Sequence, residues 1–180
     1  MRWLSRFIYF KILGWKVTGF SDFDSIPKAV IIAAPHTHWL DFPFGILLRS
    51  AIGVKTNYVG KSSLFKFPYG WFFRALGGAP VQRKENMNQV EAIAKLFSER
   101  DVFRMGMSPE GTRKKVDKWR TGFYYIAKTA NVPIVMITLD FGKKENRISE
   151  PFYTTDDKEA DFKFMKNFFK DAVGKIPEYT

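Results

Sequence analysis

Ala29-Val30-Ile31-Ile32-Ala33-Ala34 is an unbroken apolar run, and Pro35 closes it. A strand with one wet face alternates apolar and polar residues. A short run that is apolar at every position instead marks a strand covered on both faces, as in a parallel sheet. Pro133 to Leu139 reads as a second buried strand, Val102 to Met107 as a third and Thr56 to Val59 as a fourth. Helical patterns lie between them. Phe42 to Ile52 reads as a helix with Asp41 near its N-cap, and Asn88 with Glu91 forms a capping-box pattern ahead of Val90, Ile93, Ala94 and Phe97. Thr121 to Ala130 reads as another helix, and Phe162, Met165, Phe169 and Val173 mark an amphipathic one near the end of the sequence. Gly60 to Gly78 is broken by Pro68, Gly70 and Gly77 and reads as loop with a short helix. Strands alternating with helices predict a single α/β domain: a mixed, largely parallel β-sheet flanked by helices.

The 180 residues suffice for one domain with a substantial core, and no repeat or low-complexity tract divides them. With 19 Phe, 7 Tyr and 5 Trp, aromatics exceed what such a core needs. Some are expected to face a membrane or an acyl chain. The net charge of +11 calls for an anionic partner, and nucleic acid, anionic lipid and a phosphorylated substrate fit it equally. The absence of Cys excludes disulfides, Cys–zinc sites and a Cys nucleophile.

Residues 1–20 place Arg2, Arg6, Lys11 and Lys16 among Trp3, Leu4, Phe7, Phe10 and Trp15. No apolar stretch there reaches the roughly 20 residues of a membrane span, and no small-residue cleavage site follows. The mixture suits an amphipathic helix lying at a membrane interface. An ordinary helix packed on the domain fits it as well. The expected division is a membrane-association segment over 1–20 and the main domain over 21–180.

The strand that ends at Pro35 delivers His36 to a carboxyl end, where α/β sheets collect their chemistry. Asp41 follows His36 with four residues between them. An imidazole with an ordinary pKa near ~6.5 accepts a proton at neutral pH, and a carboxylate beside it fixes its tautomer. A buried structural histidine and a helix-capping aspartate explain the same spacing. His38, the other histidine, competes as a base, and a His36–His38 metal pair lacks further ligands. In Ser108-Pro109-Glu110-Gly111-Thr112-Arg113, Arg113 suits phosphate capture, and Arg83 is a second anion ligand. Lys61, in Gly60-Lys61-Ser62, is an electrophile candidate; the glycine spacing of a nucleotide-binding loop is missing.

Four blocks, in order, resemble the glycerolipid acyltransferases, the lysophosphatidic acid (1-acylglycerol-3-phosphate) acyltransferase family. They are His36-(four residues)-Asp41; Gly60-Lys61-Ser62-Ser63-Leu64-Phe65 through Val81-Gln82-Arg83; Ser108 to Arg113; and Val132-Pro133-Ile134-Val135. Pro35, where Asn is common, His38-Trp39 and Ser108 depart from the family pattern. The resemblance implies acyl transfer from acyl-CoA or acyl-acyl carrier protein to a lysolipid or glycerol-phosphate-type hydroxyl in phospholipid biosynthesis. It implies His36 as base, Asp41 as its orienting carboxylate and Lys61 near the developing oxyanion. Arg83, Glu110, Gly111, Thr112 and Arg113 would hold the acceptor's head group, with Glu110 paired to Arg83 or Arg113. It further implies no cofactor, no metal and no nucleic-acid partner, and a peripheral place on the cytoplasmic side of the plasma membrane against anionic lipid. Transfer to another lysolipid head group, such as an amino-acid lysolipid, thioester hydrolysis, and non-catalytic lipid binding stand as rivals.

Overall fold

A computed structural model describes residues 2–81 and 88–180, without the side chains of Lys61 and Val81. Among the described residues there are seven strands: β1 (Lys16–Gly19), β2 (Lys28–Ala34), β3 (Tyr58–Lys61), β4 (Gly78–Val81), β5 (Phe103–Met107), β6 (Ile134–Thr138) and β7 (Glu145–Ile148). The helices are α1 (Arg2–Arg6), α2 (Asp41–Ile52), α3 (Gly70–Ala75), α4 (Gln89–Ser98), α5 (Gly122–Ala130) and α6 (Lys158–Phe169).

The main sheet runs β1-β7-β6-β2-β5, with every neighbouring pair parallel except β6 and β7. β2 lies inside it, which is why the Ala29–Ala34 run has no polar position. Side chains alternate across a strand. Val30, Ile32 and Ala34 join the cluster under α4, α5 and α6, with Phe97, Phe123 and Met165. Ala29 and Ile31 face the opposite way and pack with Tyr9, Trp15, Leu48 and Ala51. The expected α/β architecture is the observed one.

Local signals set several boundaries. Asn88 caps α4 through its side-chain oxygen, which accepts the Glu91 N–H, and its amide donates to the Glu91 carboxylate. The expected strand over Thr56–Val59 starts later, at Tyr58, because Asn57 is bound elsewhere. The Asn57 N–H donates to the Arg104 carbonyl and its own carbonyl accepts the Gly106 N–H. That bridge seats a small second layer, parallel β3 and β4, beside β5.

The first twenty residues differ most from expectation. They are not one interfacial helix. α1 passes into a π-helical turn over Phe7–Ile12, Gly14 takes the left-handed conformation, and β1 begins at Lys16 as an edge strand of the main sheet. Tyr9 and Trp15 are buried in the core, and the Tyr9 hydroxyl donates to the Asn146 side-chain oxygen. The division at residue 20 therefore cuts through the domain, because β1 and two core aromatics precede it. Trp3, Leu4, Phe7 and Ile12 remain exposed, so one face of the segment is free.

Tyr9→Phe keeps the ring and leaves the buried Asn146 oxygen without its donor. We expect a loss of about 1–3 kcal/mol in urea unfolding. An unchanged midpoint would mean that the N-terminal segment is not integrated with β7.

Candidate active site

β2 and β5 pair in parallel, with Ile32 opposite Met107, so the loops that leave them emerge side by side. The first carries His36 to Asp41 and the second Ser108 to Arg113. The Ala34–Pro35 peptide, which is cis, joins β2 to the first loop.

His36 Nδ1 lies 2.8 Å from Asp41 Oδ2. The same oxygen accepts the backbone N–H groups of Thr37 and His38, each at 2.9 Å. Asp41 is buried at the start of α2, and its Oδ1 has no hydrogen-bond partner among the described residues. The expected helix cap is thus corrected: Asp41 caps the turn before the helix, and no side chain caps α2. An imidazole that donates from Nδ1 to a carboxylate presents Nε2 as the free acceptor. His38 is engaged otherwise. Its Nδ1 accepts the Leu40 N–H at 3.2 Å, and its ring lies against Trp39.

Glu110 Oε2 accepts the His36 backbone N–H at 2.7 Å and the Ser108 hydroxyl at 3.3 Å. The expected ion pair with Arg113 is absent among the described residues. Arg83 lies outside the described residues, as does the Lys61 side chain, although the Lys61 backbone ends β3. Glu110 instead ties the two loops together. Burial pushes its carboxyl above the ordinary value of 4.5, and the hydrogen bonds from His36 and Ser108 oppose that rise.

Gly111 sits at φ +66°, and a Cβ there would meet the Arg120 side chain at 2.4 Å. The Thr112 hydroxyl accepts the Lys114 N–H at 3.3 Å. The N–H groups of Gly111, Thr112 and Arg113 donate to no acceptor among the described residues. The Arg113 guanidinium is exposed and has no partner among them. Successive free N–H groups around a left-handed glycine form a concavity for an anion.

A cavity of about 350 Å³ opens beside these groups, lined by His36, Ser108 and Arg113 and then by Ile31, Ile46, Leu48, Ile52 and Val54. Small residues make the room. Ala33, Gly45 and Gly106 line it, and a Cβ on Gly45 would meet nothing within 4 Å. The mixed lining, mostly apolar with a few polar groups such as His36, Arg49, Asn57, Ser108 and Arg113, is that of a small-molecule site.

Sequence reasoning missed Thr37. It is 1% exposed, and its hydroxyl accepts the Ile176 N–H at 3.1 Å. Gly174 approaches so closely that a Cβ would come within 2.5 Å of Thr37 Cγ2. The segment after α6 thereby backs the His36 loop from 139 residues away in sequence. No local signal in the chain announces such a contact. Among the described residues, no group of three or more His, Asp or Glu could hold a metal ion.

A family model described as Acyltransferase matches residues 17–140. The fold is similar to the crystal structure of the 1-acyl-sn-glycerophosphate (LPA) acyltransferase PlsC from Thermotoga maritima. The TM-score is 0.58 at 19% identity, over 94% of this chain and 75% of that one. No curated protein matches the sequence.

The raised Glu110 pKa carries a sign for stability. The folded state holds the proton to higher pH than the unfolded state, so folding binds protons between the ordinary and the raised value. Stability is fully present below the ordinary value and falls as pH rises through the raised one. We expect wild-type melting temperature to fall relative to Glu110→Gln as pH climbs through that window. Parallel curves would mean that the carboxyl is not desolvated.

Proposed function

Because the chain belongs to the acyltransferase family, we propose that it moves a fatty acyl group from a thioester donor to the hydroxyl of a lysophospholipid or glycerol-phosphate-type acceptor, with His36 as general base. One observation carries the reading. His36, held by Asp41, lines a mostly apolar cavity together with an unpaired guanidinium, that of Arg113.

His36 Nε2 takes the proton as the acceptor oxygen attacks the thioester carbonyl. Asp41 Oδ2 holds the tautomer and stabilises the imidazolium. The carbonyl oxygen gains charge in the tetrahedral intermediate. The free N–H groups of Gly111, Thr112 and Arg113 are donors of the kind this charge needs. Lys61 is kept as a further donor on the strength of its place in the second motif block. Collapse breaks the C–S bond, and the thiolate leaves and takes the proton from the imidazolium. The product is an ester and the free thiol, with no covalent acyl-enzyme and no cofactor.

Arg113, with Arg83, would bind the acceptor's phosphate or polar head. Glu110 would serve it indirectly, by fixing the His36 backbone against the second loop. The cavity would receive the acyl chain, whose burial among aliphatic side chains contributes about 25 cal/mol per Å². The donor would be acyl-CoA or acyl-acyl carrier protein. Among the described residues no helix is long and apolar enough to cross a membrane. The proposed attachment is peripheral, on the cytoplasmic face, with Trp3, Leu4 and Phe7 of the N-terminal segment against anionic lipid.

The direct test is an acceptor screen, with labelled acyl-CoA and acyl carrier protein donors and thiol release measured with and without lysolipid. Lysolipid-dependent ester formation supports the reading. Release without acceptor means thioester hydrolysis, and neither product means a binding protein.

Four substitutions sharpen it. His36→Ala should lower turnover by ~10²–10⁴-fold, whereas His38→Ala should keep most of it; equal loss in both would undo the assignment of one base. Arg113→Ala should raise the acceptor KM by roughly tenfold to a hundredfold, the loss of one charge-assisted hydrogen bond, and spare the donor KM. A selective rise in the donor KM would move Arg113 to the donor's phosphates. Gly45→Leu fills the cavity from α2, so kcat/KM for long acyl donors should drop about tenfold or more while short donors are spared. Equal losses for both lengths would place the acyl chain elsewhere.

A further inference from the structure

The small β3–β4 layer carries an apolar surface that neither the core nor the proposed chemistry uses. Between residues 64 and 72, Leu64, Phe67, Tyr69, Trp71 and Phe72 are all exposed, with Phe67 at 96%, Trp71 at 71% and Tyr69 at 69%. Burying such rings is worth far more than showing them to water, and a contiguous display marks an interaction site. The display is held rigidly. Phe65 is buried beneath it, Gly70 packs against the Phe65 carbonyl, and Arg74 donates to that carbonyl at 2.9 Å. The inward residues anchor the segment and the outward ones project.

Charge selects the occupant. From Phe42 to Lys84 the sequence has seven Lys or Arg and no Asp or Glu. Lys66, within the projecting segment itself, and Arg74, two residues beyond it, are exposed. Rings of Trp and Tyr beside cations suit the headgroup zone of a bilayer, where the ring body is apolar and the edge is wet. Cations near an anionic surface add a long-range attraction.

Position gives the surface a purpose. Phe72 touches Phe73, whose carbonyl accepts the Tyr58 hydroxyl at 3.2 Å, and Tyr58 meets Phe42 edge to face. Tyr58 and Phe42 both line the cavity that His36 heads. The projecting segment is thus linked through Phe73 to the Tyr58 and Phe42 wall of the cavity.

We propose that residues 64–72 form a second membrane-docking surface, which seats the cavity against an anionic lipid bilayer. It is built from residues other than the exposed Trp3, Leu4, Phe7 and Ile12 of the N-terminal segment. Its use in catalysis rests on the reading of a lipid acceptor, but its binding to lipid does not.

The test uses the full chain, Phe67→Ser/Trp71→Ser, and Trp3→Ser/Phe7→Ser. Each is sedimented with phosphatidylcholine vesicles, with and without phosphatidylglycerol, at low and high salt. Melting curves establish that each is folded. Phe67→Ser/Trp71→Ser should lose about tenfold or more in partition onto the anionic vesicles and keep its melting temperature. Turnover of short-chain, water-soluble substrates should not change. Trp71→Phe should lessen fluorescence quenching by brominated lipid. Equal partition of Phe67→Ser/Trp71→Ser and wild type overturns the proposal. So does a wild-type dimer that the double substitution dissociates with vesicle binding unchanged, which makes the surface a contact with a second copy. Loss of acyl carrier protein binding alone overturns it as well. Vesicle binding that falls in a protein with no acyl transfer to any acceptor would sink the enzymatic reading and leave this one standing.

Discussion

One carboxylate oxygen organises the site. Asp41 Oδ2 accepts from His36 Nδ1 and from the N–H groups of Thr37 and His38, so a single buried acceptor sets the imidazole and folds the turn that carries it. A buried carboxylate is costly unless it is paired and hydrogen-bonded, and three donors offset that cost. The arrangement couples chemistry to structure. The ring cannot be reoriented without disturbing the turn, and the turn cannot open without stripping the carboxylate of its donors. Glu110 repeats the device one loop away, holding the His36 backbone where Asp41 holds its ring.

These loops meet because β2 and β5 are neighbours in register, and the sheet keeps them together because both faces of β2 are covered. The cover on one face includes the N-terminal segment. Tyr9 and Trp15 fill it, while Trp3 and Phe7 stay outside. The same short stretch therefore closes the core and presents rings to the surroundings. A chain begun at Ser21 loses both at once, which makes surface substitutions the cleaner probe of attachment. On the far side, the Thr37 hydroxyl accepts the Ile176 N–H, so the segment after α6 braces the His36 turn.

Polarity is distributed with the same economy. The cavity is lined mostly by apolar side chains, with Arg49 and Arg113 as its cations. Part of the aromatic excess is buried in the two core clusters, and the exposed rings include those on the N-terminal segment and between residues 64 and 72. A single chemistry, an apolar tail with an anionic head, would be met by both the cavity and the surface around it.

Much of this was legible in the sequence because it is local. The Ala29–Ala34 run has no polar position to leave wet, so a doubly covered strand followed directly; the capping box of α4 and the spacing of His36 to Asp41 likewise act within a few residues. Tertiary structure decided what depends on distant partners. Asp41 looked like a helix cap, but the bound imidazole and turn amides claimed its oxygen. Glu110 was expected to pair with Arg83 or Arg113; Arg113 makes no ion pair among the described residues, and the β2–β5 register puts the His36 amide within reach of the carboxylate. Residues 1–20 suited either an interfacial helix or one packed on the domain, because composition records which residues are apolar and not which face finds a partner. Tyr9 found Asn146, and Lys16 found the edge of β7, across more than a hundred residues of intervening chain. Periodicity reports a residue's neighbours along the chain, and only the folded sheet fixes its neighbours in space.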